Sequence, residues 1–102
     1  MLITKAIILE KHGKPLFIDE VTIPMPSPDE VIVKLYASGV CGSQLIDINN
    51  RNRTHPALLG HEGTGCVAQA GKNVKHVKEG DDVLVSWMPY GANEKTEYCQ
   101  RT

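Results

Sequence analysis

Gly60-His61-Glu62-Gly63-Thr64-Gly65 sets an imidazole and a carboxylate side by side where polar chain gives way to an apolar run studded with glycine. That run continues to Ala70 and Gly71, with Val74 three residues beyond. Thr64 to Ala70 reads as a strand, closed by the turn Gly71-Lys72-Asn73. Its glycines let a neighbouring backbone come close, or let the strand bend. Upstream, Gly39-Val40-Cys41-Gly42-Ser43 follows a second apolar run and adds a thiol and a hydroxyl.

Working outward, Glu30 to Ala37 is the clearest strand: Val31, Val33, Leu35 and Ala37 share one face, and Glu30, Ile32, Lys34 and Tyr36 the other. Residues 3–9 form a first strand ending at the turn His12-Gly13-Lys14-Pro15. Leu16 to Ile23 fits a half-buried strand, with Leu16, Ile18, Val21 and Ile23 set against Asp19 and Glu20. Pro24-Met25-Pro26-Ser27-Pro28 is an extended connector, because proline fixes φ and removes backbone donors. Between Ser43 and Asn49 the apolar residues Leu45, Ile46 and Ile48 lack period two, and Ser43 can cap. A short helix after Cys41 is predicted there. Asn49 to His55 is a polar loop, and Pro56 to Leu59 leads into the His61 stretch. Glu79-Gly80-Asp81-Asp82 is a turn, Val83 to Trp87 a strand, and from Pro89 to Thr102 the pattern is lost. Many short strands with Gly and Pro turns indicate a mainly β chain, a small barrel or sandwich.

The 102 residues suffice for one domain, taken as residues 1–102. Net charge is -1 with acids and bases interspersed, so nucleic acid is not an expected partner. No apolar run approaches the roughly 20 residues of a membrane span, and Glu10 ends the N-terminal run too early for a signal peptide. A cytoplasmic location is expected. Three cysteines, Cys41, Cys66 and Cys99, argue against a disulfide framework. No Gly-x-Gly-x-x-Gly occurs, so the turn that cradles a dinucleotide pyrophosphate is absent from this sequence.

Each candidate has a bland reading. Cys41 at a helix mouth favours a thiolate, yet a small buried cysteine is common. His61 and Glu62 alone read more readily as a solvated surface pair than as ligands. Cys66 lies in an apolar strand and reads as core, while His12, His55 and His76 sit in polar, turn-like contexts and read as exposed. The combination shifts the balance. Catalytic zinc takes three protein ligands and keeps one position open. Cys41 and His61 supply suitable donors, each where a strand opens into irregular chain. Zinc polarises a carbonyl and lowers the pKa of a bound hydroxyl, and Ser43, two residues from Cys41, is placed to receive that proton.

With those residues in order, the sequence resembles the N-terminal, GroES-like catalytic domain of zinc-containing medium-chain alcohol dehydrogenases, including the polyol dehydrogenases. The resemblance covers nearly the whole chain. It is carried by Pro24 to Lys34 before and within the long strand, Gly39 to Ser43 as the first zinc-ligand turn, Gly60 to Val74 as the Gly-His-Glu signature, and Gly80-Asp81-Asp82-Val83 as a Gly-Asp-x-Val turn. It implies a partly closed β-barrel, with Cys41 and His61 as metal ligands. Glu62 is then a ligand or a carboxylate just behind the ligands, and Ser43 the first hydroxyl of a proton relay. It further implies zinc and NAD or NADP as cofactors, hydride transfer on a small-molecule alcohol or carbonyl substrate, and a homo-oligomeric parent protein.

Three departures stand out. Gln44 occupies the position where the family usually has Asp. Asn93 and Thr96 stand where the first two cysteines of a structural-zinc lobe would be, leaving Glu97-Tyr98-Cys99, so no structural zinc is expected in Pro89 to Thr102. The sequence stops at Thr102, before any dinucleotide-binding domain, so the chain reads as a piece of a larger enzyme, inactive on its own. Two other classes compete: a non-enzymatic GroES-like binding or assembly module, and a zinc-free quinone-reductase-like relative. Cys41, Ser43, His61 and Glu62 together speak against both, since neither needs them.

Overall fold

The computed structural model describes residues 1–87. Their elements are, in order, β1 (Leu2–Leu9), β2 (Phe17–Ile23), β3 (Val31–Ser38), α1 (Gly42–Ile48), β4 (Ala57–Leu58), β5 (Gly63–Ala70) and β6 (Asp82–Val85). The chain is mainly β with one short helix among the described residues, as its sequence predicts. The strands form two open three-stranded sheets, ordered β2-β1-β4 and β3-β5-β6. Each belongs to its own compact unit: Met1–Met25 with Gly39–Gly60, and Pro26–Ser38 with the chain from His61 onward.

In the first unit β1 and β2 form an antiparallel hairpin, in register from Leu2↔Ile23 to Ile8↔Phe17. Gly13, at φ 84°, supplies the left-handed residue of the connecting turn. β4 adds to the other edge of β1 through Ile8↔Leu58 and Leu9↔Ala57. Two apolar residues after Pro56 carry no periodicity, so this strand is not visible in the sequence. Leu9, opposite Ala57 of β4, is only 1% exposed. Ile18 departs from its expected burial. It lies opposite Ile7, on the face that also carries the Lys5↔Glu20 pair, and both isoleucines are exposed. The half-buried side of β2 is that of Val21 and Ile23.

In the second unit β5 is the central strand, antiparallel to both β3 and β6. Its Val67 is 1% exposed and anchors this unit's core. The alternation expected for β3 does not hold: Val31, Ile32 and Val33 are all half-buried, and everything from Lys34 to Ser38 is exposed. The cause is register. Leu35 pairs with Gly65 but Ala37 with Thr64, so Tyr36 is an extra residue that re-aims its neighbours. A second irregularity falls between Ile32 and Val33.

The close approach suggested by the β5 glycines is real. A Cβ on Gly65 would stand 2.2 Å from the Lys34 carbonyl oxygen, and one on Gly71 2.3 Å from those of Ser27 and Pro28. The proline-rich connector is pinned there, because the Gly71 N–H donates to the Glu30 carbonyl and the Asn73 N–H to that of Pro28, both at 2.8 Å. Cys66 is half-buried rather than enclosed, in a row between Lys34 and Asp82. Its thiol hydrogen-bonds Tyr36 and, with the charge that thiol can carry, holds the exposed phenol above its usual range. The expectations for Pro89 to Thr102 lie outside the described residues.

Candidate functional site

Ser38, the last residue of β3, pairs with Gly63, the first of β5. Cys41 lies three residues past one member of that pair, and Glu62 and His61 immediately before the other.

α1 then fixes the thiol-bearing turn. Cys41, not Ser43, is its N-cap, with extended φ/ψ of -103° and 154°. The Cys41 N–H donates to Gln44 Oε1 at 2.7 Å, and the Gln44 N–H donates to the Cys41 carbonyl at 3.0 Å. The Gln44 N–H also faces the Cys41 side chain, and with the Cys41 N–H to Gln44 Oε1 bond this makes a reciprocal cap. Its leg to the cysteine side chain is the weaker, since sulfur is a poor acceptor. Ser43 sits in the first turn of α1, half-buried. At the helix end Asp47 pairs with Arg53 at 3.3 Å, tying the polar loop after α1 back to the helix.

Gly60 carries the other motif. Its φ of 125° is open to glycine and strained for any other residue. The sequence singles Gly60 out only as part of a pattern; the backbone supplies the reason.

Cys41, His61 and Glu62 each offer a ligand atom, and the three atoms lie within 4.8 Å of one another. Among the described residues this is the one such group of three or more His, Cys, Asp or Glu. Cys41 and His61 are half-buried, while Glu62 is exposed. His61 Nε2 is shielded from solvent and has no hydrogen-bond partner among the described residues. A shielded imidazole nitrogen without a partner is costly, which is an argument for an absent electrophile or donor. His12, His55 and His76 are exposed and take no part.

Residues 27–102 match the family model of the alcohol dehydrogenase GroES-like domain. The chain belongs to that family. This GroES-like domain is 41% identical over 98 residues to an alcohol dehydrogenase of Moraxella sp. strain TAE123, a match covering 93% of the chain and 29% of the relative. Among solved structures it is similar to benzyl alcohol dehydrogenase from Acinetobacter calcoaceticus, at 31% identity and a TM-score of 0.78, over 99% of this chain and 27% of that one. It is also similar to Escherichia coli quinone oxidoreductase complexed with NADPH, at 33% identity and a TM-score of 0.69, over 79% and 26% of the two chains. The GroES-like domain thus spans under a third of the length of the proteins it matches. None of its described helices is long and apolar enough to cross a membrane.

Proposed function

We propose that this GroES-like domain is the metal-binding part of a zinc-dependent oxidoreductase that interconverts an alcohol and its carbonyl with NAD or NADP. The observation carrying this reading is the gathering of Cys41, His61 and Glu62 within 4.8 Å, beside a shielded nitrogen without a partner. Sulfur, nitrogen and oxygen donors in one small space suit zinc, and three protein ligands leave a fourth position for a substrate oxygen. The residues present fit the ion, with Cys41 Sγ, a His61 ring nitrogen and a Glu62 carboxylate oxygen as its ligands. Zinc, when bound, supplies Lewis acidity toward an alcohol or carbonyl oxygen.

The chain's own residues do the rest. Cys41 is held at the N-cap of α1, and His61 lies just before β5. Ser43 Oγ, in the first turn of α1, accepts the hydroxyl proton of the alcohol and passes it outward. Gln44 contributes no charge, so the ligand set keeps only the charge of Cys41 and Glu62. The nicotinamide cofactor, a small-molecule substrate and a homo-oligomeric assembly belong to this reading as well. The likeness to a quinone oxidoreductase favours a second reading, a zinc-free reductase on the same fold. The gathered donors are what that reading leaves without a purpose.

Metal analysis separates the two. Stoichiometric zinc in the purified protein, lost in Cys41→Ala and in His61→Ala, is the expected result. Wild-type protein that stays free of zinc after incubation with the metal overturns the zinc reading in favour of the second.

A further inference from the structure

We propose that the open face of the β1–β2 hairpin is the interface of a two-fold dimer, and that its occupant is a second copy of this chain. The inference rests on the homo-oligomeric part of the reading above, to which it gives a surface, and not on the metal. Residues directly opposite one another in an antiparallel pair point to the same side of a sheet. Ile3↔Thr22, Lys5↔Glu20 and Ile7↔Ile18 therefore share one face. All of these residues are exposed, and Ile3, Ile7 and Ile18 stand 69%, 57% and 68% open to solvent. The reverse face carries Ala6, Ile8, Val21 and Ile23, all half-buried. The hairpin thus covers its own unit with one side and leaves isoleucine on the other. Among the described residues neither Lys5 nor Glu20 takes part in an ion pair, although they lie opposite each other.

The charges select the occupant. A two-fold axis parallel to the strands, midway between β1 and β2, lays β1 of one copy across β2 of the other. Lys5 then faces Glu20 of the second copy, and Glu20 faces its Lys5. On the next rung Ile7 meets Ile18 of the second copy, and Ile18 its Ile7. A rung that forms no ion pair within one chain becomes a reciprocal set of pairs between two, beside an apolar rung that closes on itself. A two-fold interface demands this self-complementarity, residue i on j and j on i. Two sheets packed face to face in this way lie about 10 Å apart, with their strands within about 30° of each other. A partner lacking the same alternation would set like charges together or leave Lys5 and Glu20 without a mate, at a cost in affinity.

The test is sedimentation equilibrium of the full 102-residue chain and of two charge reversals, Lys5→Glu and Glu20→Lys. The first leaves only acids on that rung, the second only bases. The expected result is a wild-type dimer, a rise of about 100-fold or more in dissociation constant for each variant alone, and recovery of the dimer when the two variants are mixed in equal amounts. No effect within one chain gives that recovery, because the rung stays mismatched in both variants. A wild-type chain that is monomeric at every accessible concentration overturns the interface. So do variants that dimerise as tightly as wild type, and so does a mixture that stays monomeric. Should either reversal fail to fold, Ile18→Asp decides: a folded monomer supports the interface, and a folded dimer of wild-type strength overturns it. Zinc content, measured on the same samples, is expected to be the same in all of them. A zinc-loaded monomer overturns this interface alone, and a zinc-free dimer overturns the zinc reading alone.

Discussion

Ser38 closes β3 directly opposite Gly63, the first residue of β5. The chain therefore leaves the sheet and returns to it at one edge, and the residues flanking that pair carry the thiol, the imidazole and the carboxylate. Metal affinity should depend on this pairing. Gly65→Ala is the sharpest probe, because its Cβ would sit 2.2 Å from the Lys34 carbonyl and 2.9 Å from Val33 Cγ1. Backbone must move, at a cost of about 1–3 kcal/mol or more. Zinc affinity should fall along with the urea midpoint. Gly42→Ala is the control for folding, since nothing lies within 4 Å of its Cβ position. It should leave the midpoint unchanged or raise it slightly, as alanine favours the helix by about 0.5–1 kcal/mol.

Leu9 and Val67 are the fully buried large side chains among the described residues, one in each unit. Leu9→Ala should cost about 2–5 kcal/mol in chemical denaturation, and Val67→Ala somewhat less because it removes fewer atoms. Leu84, at 85% exposed, should tolerate alanine within about 0.5 kcal/mol. If Leu84→Ala destabilises as much as Leu9→Ala, that side chain is covered in solution.

Asp81 accepts the Lys78 N–H and pairs with the Lys78 ammonium, both at 3.0 Å. These bonds, the backbone one foremost, hold its carboxyl below the usual range. A carboxylate whose folded pKa is depressed stabilises the fold above its unfolded value, about pH 4, and loses that contribution as pH falls through the folded value. Asp81→Asn should flatten the acid limb of the stability curve below about pH 4 and leave the slope at neutral pH alone. An unaltered acid limb would count against the turn as a contributor.

The Tyr36 phenol should titrate above its usual range. The bond to the Cys66 thiol and the charge it can carry raise the phenol, so the neutral phenol is the form the fold favours. That contribution is present below the unfolded value of about 10 and is lost as pH rises through the folded one. The tyrosinate absorbance of Cys66→Ala should therefore develop at lower pH than that of the wild type. Coincident curves would show that the thiol does not act on the phenol.

Strand positions were legible because β5, β3 and the first hairpin are bounded by glycine and proline turns and rich in β-branched residues. The helix was legible from what it lacked, period two in Leu45, Ile46 and Ile48. Burial within β3 was not, because it does not alternate, and the register irregularities at Tyr36 and between Ile32 and Val33 depend on pairing with another strand. β4 was invisible because a two-residue strand exists only through its partner. Cys41 and His61 were legible as motif members. Gln44 read as a departure from a pattern. Its bond from the Cys41 N–H follows from a side-chain rotamer, which one-dimensional spacing does not encode.

The segment 39–62 is an excursion whose two ends are stapled by a strand pair before either donor begins. Its length is thermodynamically cheap to vary, since doubling a closed loop adds only about 0.6 kcal/mol of entropy cost. The polar loop between α1 and β4 can therefore be lengthened, shortened or exchanged as a cassette while α1 and the Ser38↔Gly63 pair stay as they are. Such a layout separates the inheritance of a metal-binding pair from the inheritance of whatever that cassette presents to a substrate.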